Sequence, residues 1–391
     1  MLRAVVSILL GLVSVLSLGH VAAATLPGLR DEQVVMQQLA WLRQVVPSSA
    51  GGMQSLFPEG EFFTWALTGL TAGALARQGI SREENLAVLE QAIEATGRAE
   101  VTRRFGRHPE PLPHGAFLHG WRLLLLVDRA ALTGMAEHRE EVTAQAEAIV
   151  AALEADPFPT SYPGQAWPCD IVVALAAAHR AHDLAPIAGL PEVTRRWFEA
   201  SRSQRDPDTG LLVHRVGETR ARGTSQVIIQ TFLPDIDPEV ALTEWRVFKE
   251  HFVTSRLGLV GVLEYPEGHD GDGDVDSGPL IMGVSASASA VALAAARRHG
   301  DLRLATALDR EADLLGMPLP LPGGRGHAFG LLPVGDAFLA WARSTELGPE
   351  LGDDAPEPWW WLFWVLALVP ATIATGLQIS RRRPRAERMG S

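Results

Sequence analysis

Two kinds of helical pattern alternate along the middle of this chain. The first keeps apolar residues on one face and charged residues on the other, over about 31–46, 82–97, 138–154, 190–203, 238–253 and 301–315. The second is more apolar all round and rich in small residues, over about 61–77, 114–132, 169–182, 224–232, 279–298 and 329–343. A one-faced helix covers a core, whereas an all-round apolar helix lies inside one. The second kind starts near 61, 114, 169, 224, 279 and 329, a spacing of roughly 50 to 55 residues that marks a repeat architecture. The pattern predicts an all-α chain of six hairpins, each an outer and an inner helix, closed into an (α/α)6 toroid over residues 25–345. Its inner helices run parallel, with their N-termini gathered at one end. An irregular bundle or two separate domains is the alternative. Strand-like runs are few, at 210–216 and 257–265.

The two ends carry longer apolar runs. Arg3 precedes an apolar stretch over 4–18, Gly19 and His20 interrupt it, and Ala22, Ala23 and Ala24 follow. A short positive start, an apolar core and small residues at an A-x-A site read as a signal peptide over 1–24, cleaved after Ala24. An uncleaved N-terminal anchor is the alternative. After a linker at 346–358, residues 359–379 are apolar apart from Thr372, Thr375 and Gln378, which predicts a transmembrane helix. Trp359, Trp360, Trp361 and Trp364 form an interfacial belt at its start. The tail at 380–391 carries Arg381, Arg382, Arg383, Arg385 and Arg388. Positive flanks stay cytoplasmic, so the expected arrangement is a single-pass cell-membrane protein with its tail inside and its bulk outside. Pro370 should kink the span rather than prevent it.

Composition narrows the partners. The formal net charge is −12 although the tail is basic, which argues against nucleic acid as a partner. Cys169 is the only cysteine, so neither an intramolecular disulfide nor a cysteine-based zinc site can form. Lys249 is the only lysine among many arginines, read as a compositional bias.

Unusual residues concentrate in the loops entering the inner helices, at 57–63 (with Glu61), 107–114, 161–170, 222–226, 264–279 and 323–327. In a toroid these loops meet at one funnel, where helix N-termini favour anions and ionised carboxylates. The only two tyrosines, Tyr162 and Tyr265, both fall in them. Tyr162, Trp167, Cys169 and Asp170 form one cluster. Asp170 is read either as an N-cap or as an acid, base or hydrogen-bond acceptor on the funnel floor, with Trp167 as a stacking wall. Asp270, Asp272, Asp274 and Asp276 form a second cluster. Their alternation resembles a calcium loop, but Ile281 stands where the required Glu should be, so no metal is expected. Asp274 and Asp276 can instead face the funnel as a pair in which crowding raises one pKa, with Glu264 and Tyr265 completing the set. His114 and His119, five residues apart, do not share a helix face well enough for a metal pair. His114 alone is a funnel candidate, His327 follows glycines that place it over the opening, and His214 reads as a turn residue first. No nucleophile elbow, phosphate loop or dinucleotide fingerprint stands out, so no cofactor is expected.

The alternating pattern resembles the six-hairpin toroids of glycosidases, sugar epimerases and lyases. The run Trp167-Pro168-Cys169-Asp170 is similar to a Pro-Cys step in the linalool dehydratase–isomerase family. That resemblance implies acid–base chemistry on a small alcohol substrate. The family's second cysteine, about nine residues upstream, has no counterpart here: Thr160 stands in that region, and only Cys169 carries over. The expected function is a membrane-tethered lyase or isomerase acting through Asp170, Asp276, Tyr162, Tyr265, Cys169 and His114, with Trp167, Glu264, Asp274, Glu61 and His327 binding substrate. A sugar hydrolase or epimerase, and a non-catalytic envelope assembly module, are the alternatives.

Overall fold

The computed structural model describes residues 2–26, 32–352 and 356–382, so the arginines at 383, 385 and 388 lie outside the described residues. Helices dominate. In chain order they are α1 (Leu2–Thr25), α2 (Glu32–Met53), α3 (Gly60–Arg77), α4 (Arg82–Gly97), the single turn α5 (Ala99–Thr102), α6 (Gly115–Thr133), α7 (Ala136–Ala155) and α8 (Pro168–Leu184). There follow α9 (Leu190–Ser201), α10 (Gly223–Phe232), α11 (Pro238–Phe252), α12 (Ala286–Arg298), α13 (Leu302–Gly316), α14 (Pro333–Ser344) and α15 (Trp361–Arg382).

Helices α3, α6, α8, α10, α12 and α14 are the apolar, small-residue type. Each packs on the next, and α14 packs on α3. The amphipathic helices lie against them: α4 on α3 and α6, α7 on α6 and α8, α11 on α10, α13 on α12, and α2 on both α3 and α14. Small residues set the approach. A side chain at Gly120 would stand 3.0 Å from the backbone of Ala174, and one at Gly69 2.5 Å from Ala92 Cβ. The polar residues buried in α3 are satisfied locally. Thr64, Thr68 and Thr71 hydroxyls donate to carbonyls one turn back at 2.6, 2.7 and 2.8 Å. Between the inner helices the space is filled by rings. Trp121 lies 5.1 Å from Phe63, 5.3 Å from Phe232 and 5.8 Å from Trp341 in edge-on contacts.

Where α2, α13 and α14 meet, a buried ionic network joins the first hairpin to the last. Arg343 donates to Asp309 Oδ1 at 2.7 Å, to Asp313 Oδ1 at 2.7 Å and to Gln38 Oε1 at 2.8 Å. His327 Nε2 meets Asp313 Oδ1 at 2.9 Å and its Nδ1 meets Asp336 Oδ1 at 2.7 Å. His327 is thus locked into the core at the foot of the β4–β5 hairpin (Leu319–Leu321 and Gly324–Gly326) instead of lying over an opening.

Three more strands, β1 (Val253–Arg256), β2 (Leu259–Leu263) and β3 (Val284–Ser285), make an antiparallel sheet in the order β1-β2-β3. The first two are joined by a tight turn in which Leu257 and Gly258 both take positive φ. The strand expected at 210–216 does not form; only Leu212 makes a bridge, to Arg205, because Asp206 closes a turn by accepting from Gly210 N at 2.7 Å. Helix α12 begins at Ala286 and not near 279, since Gly278, Met282 and Gly283 take positive φ and Ser285 caps the helix by accepting from Ala288 N at 3.1 Å. Helix α14 likewise waits for Pro333 at its first turn, after positive φ at Ala328, Phe329 and Gly330.

Removing the shared cation should therefore loosen the whole ring of contacts. Arg343→Leu is expected to lower stability by about 3–5 kcal/mol, seen as a fall in the unfolding midpoint of the full chain in detergent. Arg343→Lys, which keeps the charge but not the fork, should recover only part of that loss.

Candidate functional site

Residues at the N-terminal ends of α3, α6, α8, α10 and α12 come together. Ala116 N of α6 donates to Thr160 O at 2.9 Å, which ties the 160–167 loop to the start of that helix. Gly115 has φ +80°, and a Cβ there would lie 2.3 Å from Ser161 O, so glycine is required for the approach. The loop turns tightly between Tyr162 and Gln165 and presents the Tyr162 ring to Trp167, centroids 5.1 Å apart. The Tyr162 hydroxyl donates to Glu59 Oε1 at the N-cap position of α3.

Asp170 does not cap α8. Pro168 takes the first helical position, where no donor is needed, and Trp167 stands at the cap without a side-chain bond. That places Asp170 one turn in, where its carboxyl is hydrogen-bonded by Ser161 and, at 3.8 Å, by the Cys169 thiol. Cys169 is also hydrogen-bonded to Ser225 of α10. Ser225 Oγ in turn lies 2.6 Å from His214 Nδ1. Asp276, exposed on the loop before α12, is electrostatically coupled to Glu59, Asp170, Tyr162 and Cys169. Its backbone oxygen accepts from Ser287 Oγ of α12 at 2.5 Å.

Burial dominates the electrostatics of this group. It pushes Glu59 up to about 7 against the Tyr162 hydrogen bond, with Asp276 adding to the rise. It pushes Asp170 up to about 7 against the Ser161 hydrogen bond, with Glu59 and Asp276 adding. Crowding by protein and the Asp274 charge also raise Asp276, which Arg222 partly offsets. Burial raises both the Tyr162 phenol and the Cys169 thiol well above their ordinary range, so Cys169 is a thiol and not a thiolate. His214 is held down near 4 by burial and by Arg222, and is neutral.

Beside this cluster lies a second, organised by Arg222. Its Nε donates to Glu264 Oε1 at 2.7 Å, its Nη1 to Asp274 Oδ2 at 2.6 Å, and its guanidinium sits 5.2 Å from the Tyr265 ring centroid. Its Nη2 has no hydrogen-bond partner among the described residues. Thr224 Oγ1 also donates to Glu264, at 2.9 Å. Asp274 is an anchor for its loop, accepting from Asp276 N and Ser277 N at 3.0 Å each. Tyr265 donates to Asp272 O at 3.0 Å.

The expected residues are thus divided. Tyr162, Trp167, Cys169, Asp170 and Asp276 share one site, and Glu264, Asp274 and Tyr265 flank it through Arg222. Glu61 turns away into an ion pair with Arg104 at 2.6 Å. His114 contacts Gly106 O at 3.3 Å and the His119 ring at 6.4 Å. Thr160, in the region of the second cysteine of the resembling family, is paired with His108 Nδ1 at 2.6 Å. Glu59, Ser161, Ser225 and Arg222 were not singled out as site residues from sequence. Among the described residues no three His, Cys, Asp or Glu side chains are arranged to hold a metal ion. No known family model and no curated protein matches this chain.

Raised carboxyl pKa values make stability depend on pH in a definite direction. Glu59 and Asp170 have ordinary values of 4.5 and 3.8 and rise to about 7 in the folded chain. Between those limits the folded state holds more protons, so stability is greatest on the acid side and falls as pH rises toward 7. Glu59→Gln with Asp170→Asn should flatten that fall, by on the order of 1 kcal/mol per pH unit for each group. Unfolding midpoints from pH 5 to pH 8 measure it. Glu311, raised by burial to about 8, leaves a residual slope in both chains.

Proposed function

We propose that this chain is an extracytoplasmic, membrane-tethered enzyme that performs acid–base lyase or isomerase chemistry on a small alcohol. Its six inner helices make an (α/α)6 toroid in this reading, supported by the unbroken series of contacts from α3 round to α14 and back. One observation carries the chemistry: Glu59, Asp170 and Asp276 are coupled to one another beside Tyr162 and Trp167, with two of the three titrating near neutrality. Such a group supplies a proton donor and a proton acceptor at the same pH.

In the proposed step protonated Asp170 gives its proton to a substrate hydroxyl, the C–O bond breaks, and water leaves. Asp276, which the Arg222 charge favours as a carboxylate, takes a proton from the neighbouring carbon, and the C–H electron pair becomes the new double bond. Glu59 and Tyr162 hold the donor's surroundings, and Arg222 Nη2 offers a hydrogen bond to a substrate oxygen. Cys169, a buried neutral thiol, positions Asp170 and forms no covalent intermediate. A sugar substrate is less well supported, because Trp65 and Trp121 are buried in the core and only Trp167 stands at the site. The non-catalytic alternative draws support from the rings of Phe63, Trp121, Phe232 and Trp341, which fill the space between the inner helices below the carboxyls.

The test is turnover of a panel of small allylic and tertiary alcohols by the purified full chain, with products followed by gas chromatography. Asp170→Asn and Asp276→Asn should each lose about 10²- to 10⁴-fold in kcat while the chain still folds and unfolds cooperatively. Wild-type rates in both variants, or an inert wild-type chain, would defeat the reading.

A further inference from the structure

Helix α1 runs unbroken through Gly19, His20 and the alanines to Thr25. Ala24 and Val21 are 2% and 5% exposed, packed with Leu314 of α13 and Ala367 of α15. The end of the helix is fastened to the domain: His20 Nε2 meets Leu314 O at 2.9 Å, and Arg310 donates to Thr25 O at 2.9 Å. Around the expected cleavage point the chain is helical, with Ala24 and Thr25 buried, Ala22 half-buried and Ala23 exposed.

The rest of α1 lies along α15. Ser7, Ser14 and Val21, seven residues apart, are 4%, 2% and 5% exposed, and Ala367 and Ala374, also seven apart, are 5% and 6% exposed. Ser7 Oγ donates to Ala374 O at 3.4 Å, and Ser14 Oγ accepts from Ala371 N at 2.8 Å. Pro370, with no N–H of its own, interrupts the α15 ladder at this point, and Ser14 satisfies the neighbouring amide. Contacts that advance from 7 through 14 to 21 on α1 retreat from 374 through 371 to 367 on α15, so the helices are antiparallel. Small residues and hydroxyl bonds are what join helices in lipid, where apolar burial offers no drive.

The outward faces are apolar and uncovered. Ile8, Val15 and Leu16 are 70%, 66% and 64% exposed, and Leu366 and Ile373 are 54% and 50% exposed. At about 1.5 Å per residue the two helices reach about 36 and 33 Å, enough for a hydrocarbon layer of about 30 Å. Arg3 falls at the same end as Arg381 and Arg382, while Trp360 anchors the other end by donating to Glu311 Oε1 at 3.0 Å. One basic end and one tryptophan end is the charge order of a membrane pair with both termini in the cytoplasm.

We infer that residues 2–25 are retained in the mature protein as a second transmembrane helix, the antiparallel partner of α15, so that the outer domain is held by a two-helix hairpin. This inference is independent of the catalytic reading. It is tested by the intact mass of the full chain extracted from membranes, together with oxidative cross-linking of a Ser14→Cys, Ala371→Cys variant in a Cys169→Ser background. The expected results are a mass that includes residues 2–24 and an intramolecular cross-link seen as a mobility shift that reductant reverses. A mature chain beginning at Thr25 would overturn retention. A full-length chain that never cross-links would overturn the pairing.

Discussion

The six apolar helices lie each against the next, with the last against the first, through small residues at the close approaches and aromatic rings elsewhere. A Cβ at Gly69 or Gly73 would meet Leu125 or Asp128 of α6, and one at Gly120 would meet Ala174 of α8. This close packing draws the starts of five inner helices together, and everything at the candidate site follows from that. Glu59, the Tyr162–Asp170 segment, Ser225 and Asp276 are far apart in the sequence. They meet because their helices do.

The meeting has an electrostatic cost. Helix N-termini favour ionised carboxylates, yet Glu59 and Asp170 are raised to about 7. Burial and mutual repulsion outweigh the helix ends and the local hydrogen bonds. The nearest cation, Arg222, is already committed to Glu264 and Asp274, so it moderates Asp276 without neutralising the group. Where α2, α13 and α14 meet, the opposite solution holds. Asp309, Asp313 and Asp336 are as deeply buried, but Arg343, Arg325 and His327 satisfy them. Asp309, Asp313 and Asp336 are thus bonded to cationic or imidazole partners, whereas Glu59 and Asp170 are held by Tyr162 and Cys169 hydrogen bonds.

The two terminal helices pack by a related logic. Within the domain, small residues permit close helix contact while large apolar side chains are buried. Along α1 and α15 small residues again lie inside, but the large side chains face outward. That inversion suits lipid and not water. Glu311, buried, accepts from Trp360 just before α15 and from Val260 N at 3.0 Å, and so links the start of that helix to the sheet that leads to Glu264 and the acidic loop.

Most helix positions are legible in the residues alone, because amphipathic period and small-residue content are local properties: the pattern over 82–97 coincides with the helix Arg82–Gly97, whereas the starts of α12 and α14 depend on loop backbone conformation. The apolar ends and most of one site cluster were legible for the same reason, since Tyr162, Trp167, Cys169 and Asp170 are neighbours in the chain. What the residues could not reveal was which side chains point at one another. Glu59 and Glu61 are equivalent in composition, but a two-residue step at a helix start turns one toward Tyr162 and the other toward Arg104. Asp170 looks like a cap until Pro168 takes the first turn, and His327 looks like a lid until Asp313 and Asp336 close on it. Local order was determined by the sequence through backbone periodicity; the facing of each charge was decided only by the packing of helices distant in the chain, because direction at a helix end depends on contacts that no local pattern encodes.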